Sequence, residues 1–163
     1  MRTSRLSLRL STAAAATLLA ACGTTEKEGS LGDELTANGI EVTVDRVDRS
    51  PPEPRRDITG LSKPAAGRRL VGVHVRVCSD HGGAIGAYDF KVESSAGDGR
   101  LKFPARNYRD DFETLRDGCG EGWVVFEIPA DSRPERVRFE FEDTGSTRNE
   151  NDRVDARFSW KVE

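Results

Sequence analysis

Four valines at every second position, Val71, Val73, Val75 and Val77, constrain this chain more than any other feature. A period of two belongs to a strand with one buried face, and β-branched residues suit it. The run Leu70–Cys78 is therefore an apolar strand that ends in a cysteine. A second apolar run, Gly122-Trp-Val-Val-Phe-Glu-Ile128, has Cys119 just ahead of it. If the two strands lie side by side and antiparallel, the end of one meets the start of the other. Cys78 and Cys119 then come within reach of a disulfide.

The remaining strands follow the same rule. Ile40, Val42 and Val44 alternate with Glu41, Thr43 and Asp45. Val47 breaks that phase, which predicts a bulge or the strand end. Tyr88, Phe90 and Val92 make a strand, and the turn Ala96-Gly-Asp-Gly99 follows it. Leu101 and Phe103 form a short strand. Val137, Phe139 and Phe141 alternate with charged residues, and Phe158, Trp160 and Val162 close the series. Tyr108, Phe112 and Leu115 are spaced for one or two helical turns over 107–116. Asp117–Gly122 reads as a Gly-rich turn. About seven short strands with no long helix predict an all-β chain, an immunoglobulin-like antiparallel β-sandwich.

The start of the chain is of another kind. Arg2, Arg5 and Arg9 form a basic region, and Leu10–Ala21 is apolar but shorter than a bilayer span of about 20 residues. The run ends in Leu19-Ala-Ala-Cys22. This resembles the lipobox of bacterial lipoprotein signal peptides. The resemblance implies cleavage before Cys22 and a diacylglycerol on its sulfur, with small residues in the peptidase cleft and a thiol as nucleophile. Residues 1–21 are then a signal peptide. The stretch 22–38 carries the lipidated cysteine and is otherwise polar and Gly/Ser/Thr-rich. It is expected to be a flexible tether reaching roughly 20 Å as a coil. The sandwich is expected over 39–163, with a Pro-rich loop at about 48–69 holding Pro51, Pro52, Pro54 and Pro64.

Removing Arg2, Arg5 and Arg9 leaves 22 of the 25 basic residues against 28 acidic ones, a net charge of −6. That balance argues against nucleic acid as a partner and against electrostatic attraction to anionic lipid. The bilayer partner is reached through the acyl chains on Cys22, at about 0.8 kcal/mol per buried CH₂. With Cys22 lipidated, Cys78 and Cys119 remain as an even pair in an exported protein, 41 residues apart. No C-x-x-C is present, so a structural disulfide is favoured over a redox or metal pair.

Three stretches together are similar to the telokin-like, immunoglobulin-fold family of bacterial lipoproteins and secreted proteins. They are Gly39-Ile-Glu-Val-Thr-Val44, Gly67-Arg-Arg-Leu-Val-Gly-Val-His-Val75, and Gly118 with Gly122-Trp-Val-Val-Phe-Glu-Ile-Pro129. Where such families carry an Asn-Gly-like turn after the second strand, this chain has Cys78-Ser-Asp80. The resemblance implies a fold and an extracytoplasmic setting, and no activity.

Candidate chemistry is sparse. His74 sits mid-strand, opposite in phase to the valines, and reads as a sheet-face residue rather than a catalytic or metal-binding one. His81 beside Asp80 lacks an evident third ligand. Asp110, Asp111 and Glu113, like Glu150 and Asp152, lack calcium-loop spacing and read as solvated acidic surface, with loosely bound calcium as the alternative. There is no Gly-x-Ser-x-Gly elbow, and Gly118, Gly120 and Gly122 precede no phosphate-binding helix. Trp123 and Trp160 read as core, with a sugar-stacking platform as the alternative. No catalytic or metal-binding residue and no cofactor is assigned, so the expectation is a non-enzymatic module. It would be lipid-anchored on the extracytoplasmic face of the cell membrane and present loops 48–69 and 107–117 to an envelope protein, a peptide or a glycan. The alternative is an envelope lipoprotein that binds a small ligand or calcium.

Overall fold

The computed structural model describes residues 26–49, 63–80, 82–102, 111–143 and 155–163. They form ten strands: β1 (Lys27–Ser30), β2 (Glu34–Ala37), β3 (Ile40–Asp48), β4 (Arg68–Ser79), β5 (Phe90–Ser94), β6 (Gly97–Asp98), β7 (Arg100–Leu101), β8 (Gly118–Pro129), β9 (Pro134–Glu142) and β10 (Asp155–Lys161). The first sheet runs β1-β10-β9-β5-β6 and the second β2-β3-β4-β8-β7. The two sheets face each other as a β-sandwich, antiparallel throughout except where β1 runs parallel to β10. A strand stands at each of the seven expected places, but Tyr88 lies exposed in a 3-10 turn ahead of β5 and Phe103 lies outside the described residues. β1, β2 and β6 are additional.

The inner faces differ in kind. The second sheet contributes mainly small branched residues, among them Ile40, Val42, Val44, Val71, Val73, Val75 and Val77, together with Phe126. The first contributes the aromatics Phe90, Phe139, Phe158 and Trp160, and Phe112 from the 111–115 segment joins their row. From Phe112 to Trp160 the ring centroids are 5.9, 5.1, 5.7 and 6.0 Å apart. Branched side chains on one sheet leave room for rings from the other. The outer face of the first sheet is polar. Arg138 pairs with Glu93 at 2.9 Å, Arg136 with Glu28 at 2.9 Å, and Lys91 with Glu140.

Three expectations are corrected. Residues 27–37 are not a tether. β1 pairs with β10, β2 pairs with β3, and Asn38-Gly39 makes the β2–β3 hairpin turn with φ of 51° and 71°. Both central residues at positive φ define a type I′ turn, for which Asn-Gly is the preferred pair. The sandwich therefore begins by Lys27, well before Gly39. Residues 111–115 are extended rather than helical, tied to Ile85 and Trp123 by isolated bridges. Positions 107–110 lie outside the described residues. Asp117–Gly122 is not a turn throughout, because β8 already starts at Gly118.

The phase break at Val47 is a bulge. The β3–β4 register shifts between Val44 and Arg46, so Asp45 is the extra residue. Val47 then returns to the inner face opposite Val73, and β3 continues to Asp48.

Candidate functional site

The bulge has a chemical consequence. It brings Arg46 opposite His74, and His74 stands opposite Trp123 on the next strand. One cross-strand row thus crosses the outer face of the second sheet. The His74 imidazole meets the Trp123 indole edge-on, with centroids 5.0 Å apart at 71°. The Arg46 guanidinium lies 5.0 Å from the same indole. The extra residue, Asp45, places its carboxylate 2.9 Å from His74 Nδ1. Trp123 is only 8% exposed under these neighbours.

Trp123 is thus buried on the outside of the sheet and is absent from the inter-sheet core, which corrects its reading as a core residue. Trp160 is fully buried in that core, as expected. With Nδ1 held by Asp45, His74 has Nε2 left to offer, in a fixed orientation. Among the described residues no three His, Cys, Asp or Glu side chains converge. The row is a pair with an aromatic floor rather than a ligand set.

At one end of the sandwich, Cys78 and Cys119 stand directly opposite each other on β4 and β8 and form a disulfide. The glycines beside it have separate tasks. Gly118 adopts φ of 81°, and Gly122 has the Asp111–Phe112 backbone 2.5 to 2.7 Å from where a Cβ would stand. That close approach lets 111–115 close the end of the core. Phe112 N–H donates to Trp123 O, and Ile85 and Leu115 exchange reciprocal 2.8 Å backbone bonds. Asp89 is in the same region. Its carboxylate accepts the Gly86 N–H at 2.7 Å, and burial raises the carboxyl above the usual range despite that bond. His81, Asp110, Glu150, Asp152 and Cys22 lie outside the described residues. Asp111 is half-buried under the disulfide end and Glu113 is exposed.

The opposite end carries an open pocket of about 320 Å³ lined by Val47, Arg49, Arg133, Pro134, Glu135, Val162 and Glu163. Near it, Glu127 pins the last part of the long loop. It accepts from Ala65 N at 3.1 Å and Lys102 Nζ at 2.6 Å, and Arg68 donates to its carbonyl at 2.7 Å. Lys102 also donates to Lys63 O. The described parts of the two loops expected to make one working surface, 63–67 and 111–117, therefore lie at opposite ends of the β4–β8 ladder. Residues 50–62 lie outside the described residues.

Together these features define a disulfide-closed, two-sheet β-sandwich. Solved structures share that fold. The chain is similar to MPT63, a secreted protein from Mycobacterium tuberculosis, at 19% identity and a TM-score of 0.57, over 86% of this chain and all of that one. It is also similar to ycdA, a candidate lipoprotein of Bacillus subtilis, at 12% identity and a TM-score of 0.51. That match covers 80% of this chain and 38% of ycdA. The yjhA protein of Bacillus subtilis matches at 16% identity and a TM-score of 0.50, over 80% and 98%. No protein-family model and no curated protein sequence matches the chain.

Proposed function

We propose that this chain is a lipoprotein anchored through acylated Cys22 at the extracytoplasmic face of a membrane. Its sandwich serves as a non-enzymatic interaction module. The observation that carries the reading is the cysteine pairing. Of three cysteines, Cys78 and Cys119 join each other, which leaves Cys22 unmatched at the end of the lipobox. A disulfide suits an oxidising, extracytoplasmic compartment. The secreted MPT63 and the candidate lipoprotein ycdA, which share the fold, support the same setting.

The test is fractionation of cells making the full chain, with radiolabelled palmitate. The wild type is expected in the membrane fraction and labelled, and Cys22→Ala in the soluble fraction and unlabelled. An unlabelled wild type, or a variant that stays on the membrane, overturns the reading. The pocket favours a second reading, binding of a small ligand with an apolar body and charged ends, since Val47, Pro134 and Val162 accompany Arg49, Arg133 and Glu135. A ligand-induced rise in melting temperature, abolished by Arg133→Ala, supports it. A rise with calcium alone points instead to the acidic loops.

A further inference from the structure

We infer that the anchor fixes which end of the sandwich faces the bilayer: the disulfide end faces the lipid, and the pocket end is presented outward. This rests on the lipidation of Cys22 proposed above and adds an orientation to it.

The argument is one of reach. Glu26 is held against the first sheet, 3.7 Å from Arg138, and β1 begins at the next residue. Four peptide steps separate Glu26 from Cys22, and fully extended they span about 14 Å. By register, Lys27 is level with Phe158, so Glu26 stands near Arg157 and its partner Glu140. From that level the rim at Asp155 and Glu142 is two residues away, about 7 Å along the strand. The pocket end lies the other way. Pro134 is six residues from Glu140, about 20 Å, and the turn leading into it stands beyond. A bilayer touching the pocket end is thus farther from Glu26 than the chain reaches. The direction of entry agrees, because the chain enters β1 from the disulfide end and would have to double back along the strand.

The acids of that rim, Asp80, Glu142, Asp143 and Asp155, are each already engaged by a partner, and Asp117 lies beside the exposed Arg116. The rim therefore offers lipid headgroups no strong attraction. The leash and not lipid affinity sets the orientation, and the pocket with Arg49, Arg133 and Glu135 is what a partner from solution meets first.

The experiment uses the mature lipidated protein in nanodiscs of neutral lipid doped with a gadolinium-headgroup lipid, read by amide NMR. Amides of Asp80, Gly118 and Asp143 are expected to lose most of their intensity, while those of Arg49, Glu135 and Glu163 keep theirs. Equal losses at both ends, or greater loss at the pocket end, overturn the inference even though the protein is lipidated. Lengthening the leash by about 15 Gly/Ser residues after Thr25 is expected to erase the contrast. If the contrast survives, lipid affinity sets the orientation and the leash argument falls. A protein whose mass shows no acyl chains, and which does not float with nanodiscs, overturns the lipoprotein reading and the orientation built on it.

Discussion

Trp160 donates its indole N–H to the carbonyl of Asp33, 3.0 Å away across 127 residues of sequence. The largest fully buried side chain of the core is thus tied to the turn between β1 and β2. A buried indole N–H needs a partner, and here the N-terminal strand pair supplies it. Trp160→Phe removes that bond and part of a ring, and about 1–3 kcal/mol of stability is expected to go with them. A chain starting at Gly39 loses the same bond and uncovers the edges of β3 and β10. It is expected to unfold at a lower urea midpoint than Trp160→Phe. Equal stability of the full and shortened chains would show that β1 and β2 contribute nothing.

Cys78 and Cys119 close a loop of 41 residues. Tying its ends restricts the unfolded chain, which is worth roughly 4 kcal/mol on the entropy model. The double variant Cys78→Ala/Cys119→Ala is expected to lose a large part of that in chemical denaturation. Added reductant should lower the wild-type midpoint and leave the variant unmoved. Two free thiols titrated in the unreduced folded domain would remove the disulfide altogether.

Gly122 and Gly120 look alike in sequence and differ in space. A methyl at Gly122 would meet the Asp111–Phe112 backbone at 2.5 to 2.7 Å, whereas at Gly120 it would meet the side chains of Leu115 and Phe112 at 3.6 and 3.8 Å. Backbone cannot swing aside as a side-chain tip can. Gly122→Ala is therefore expected to cost about 1–3 kcal/mol by displacing 111–115. Gly120→Ala is expected to change the midpoint much less. Similar costs for both would mean that 111–115 does not sit against β8 as described.

Alternation located the principal strands that have one face against the core, and an unbroken apolar run located β8, which is buried on both faces. Alternation failed where side chains do not carry the signal. β1 and β2 read Lys-Glu-Gly-Ser and Glu-Leu-Thr-Ala, and edge strands of this kind are recruited by backbone bonds and by a few contacts such as Leu35. The local signal is Asn38-Gly39, a hairpin pair that stands where polar residues give way to the first alternating strand and so resembles a domain boundary. Trp123 was misplaced for the opposite reason. Every residue from Gly122 to Ile128 is buried, so neither face of β8 stands out. The Asp45–His74 pair depends on a bulge, and the Val47 phase break located that bulge without saying which side chains it would join.

Asp89 provides a pH test. Burial is the larger influence on its carboxyl and raises it, while the Gly86 N–H works in the other direction. In the unfolded chain an aspartate titrates near pH 4. A folded value above that means the folded state holds the proton more tightly, so protonation favours folding. The stabilising contribution is fully present below about pH 4 and is lost as pH rises through the higher folded value. Above it, the buried carboxylate is a standing cost. Asp89→Asn keeps an acceptor for the Gly86 N–H and removes the charge. It is expected to raise the urea midpoint at pH 7, and the gap to wild type should close as pH falls toward 4. A variant less stable than wild type at pH 7 would show that the charged bond to Gly86 outweighs the cost of burial.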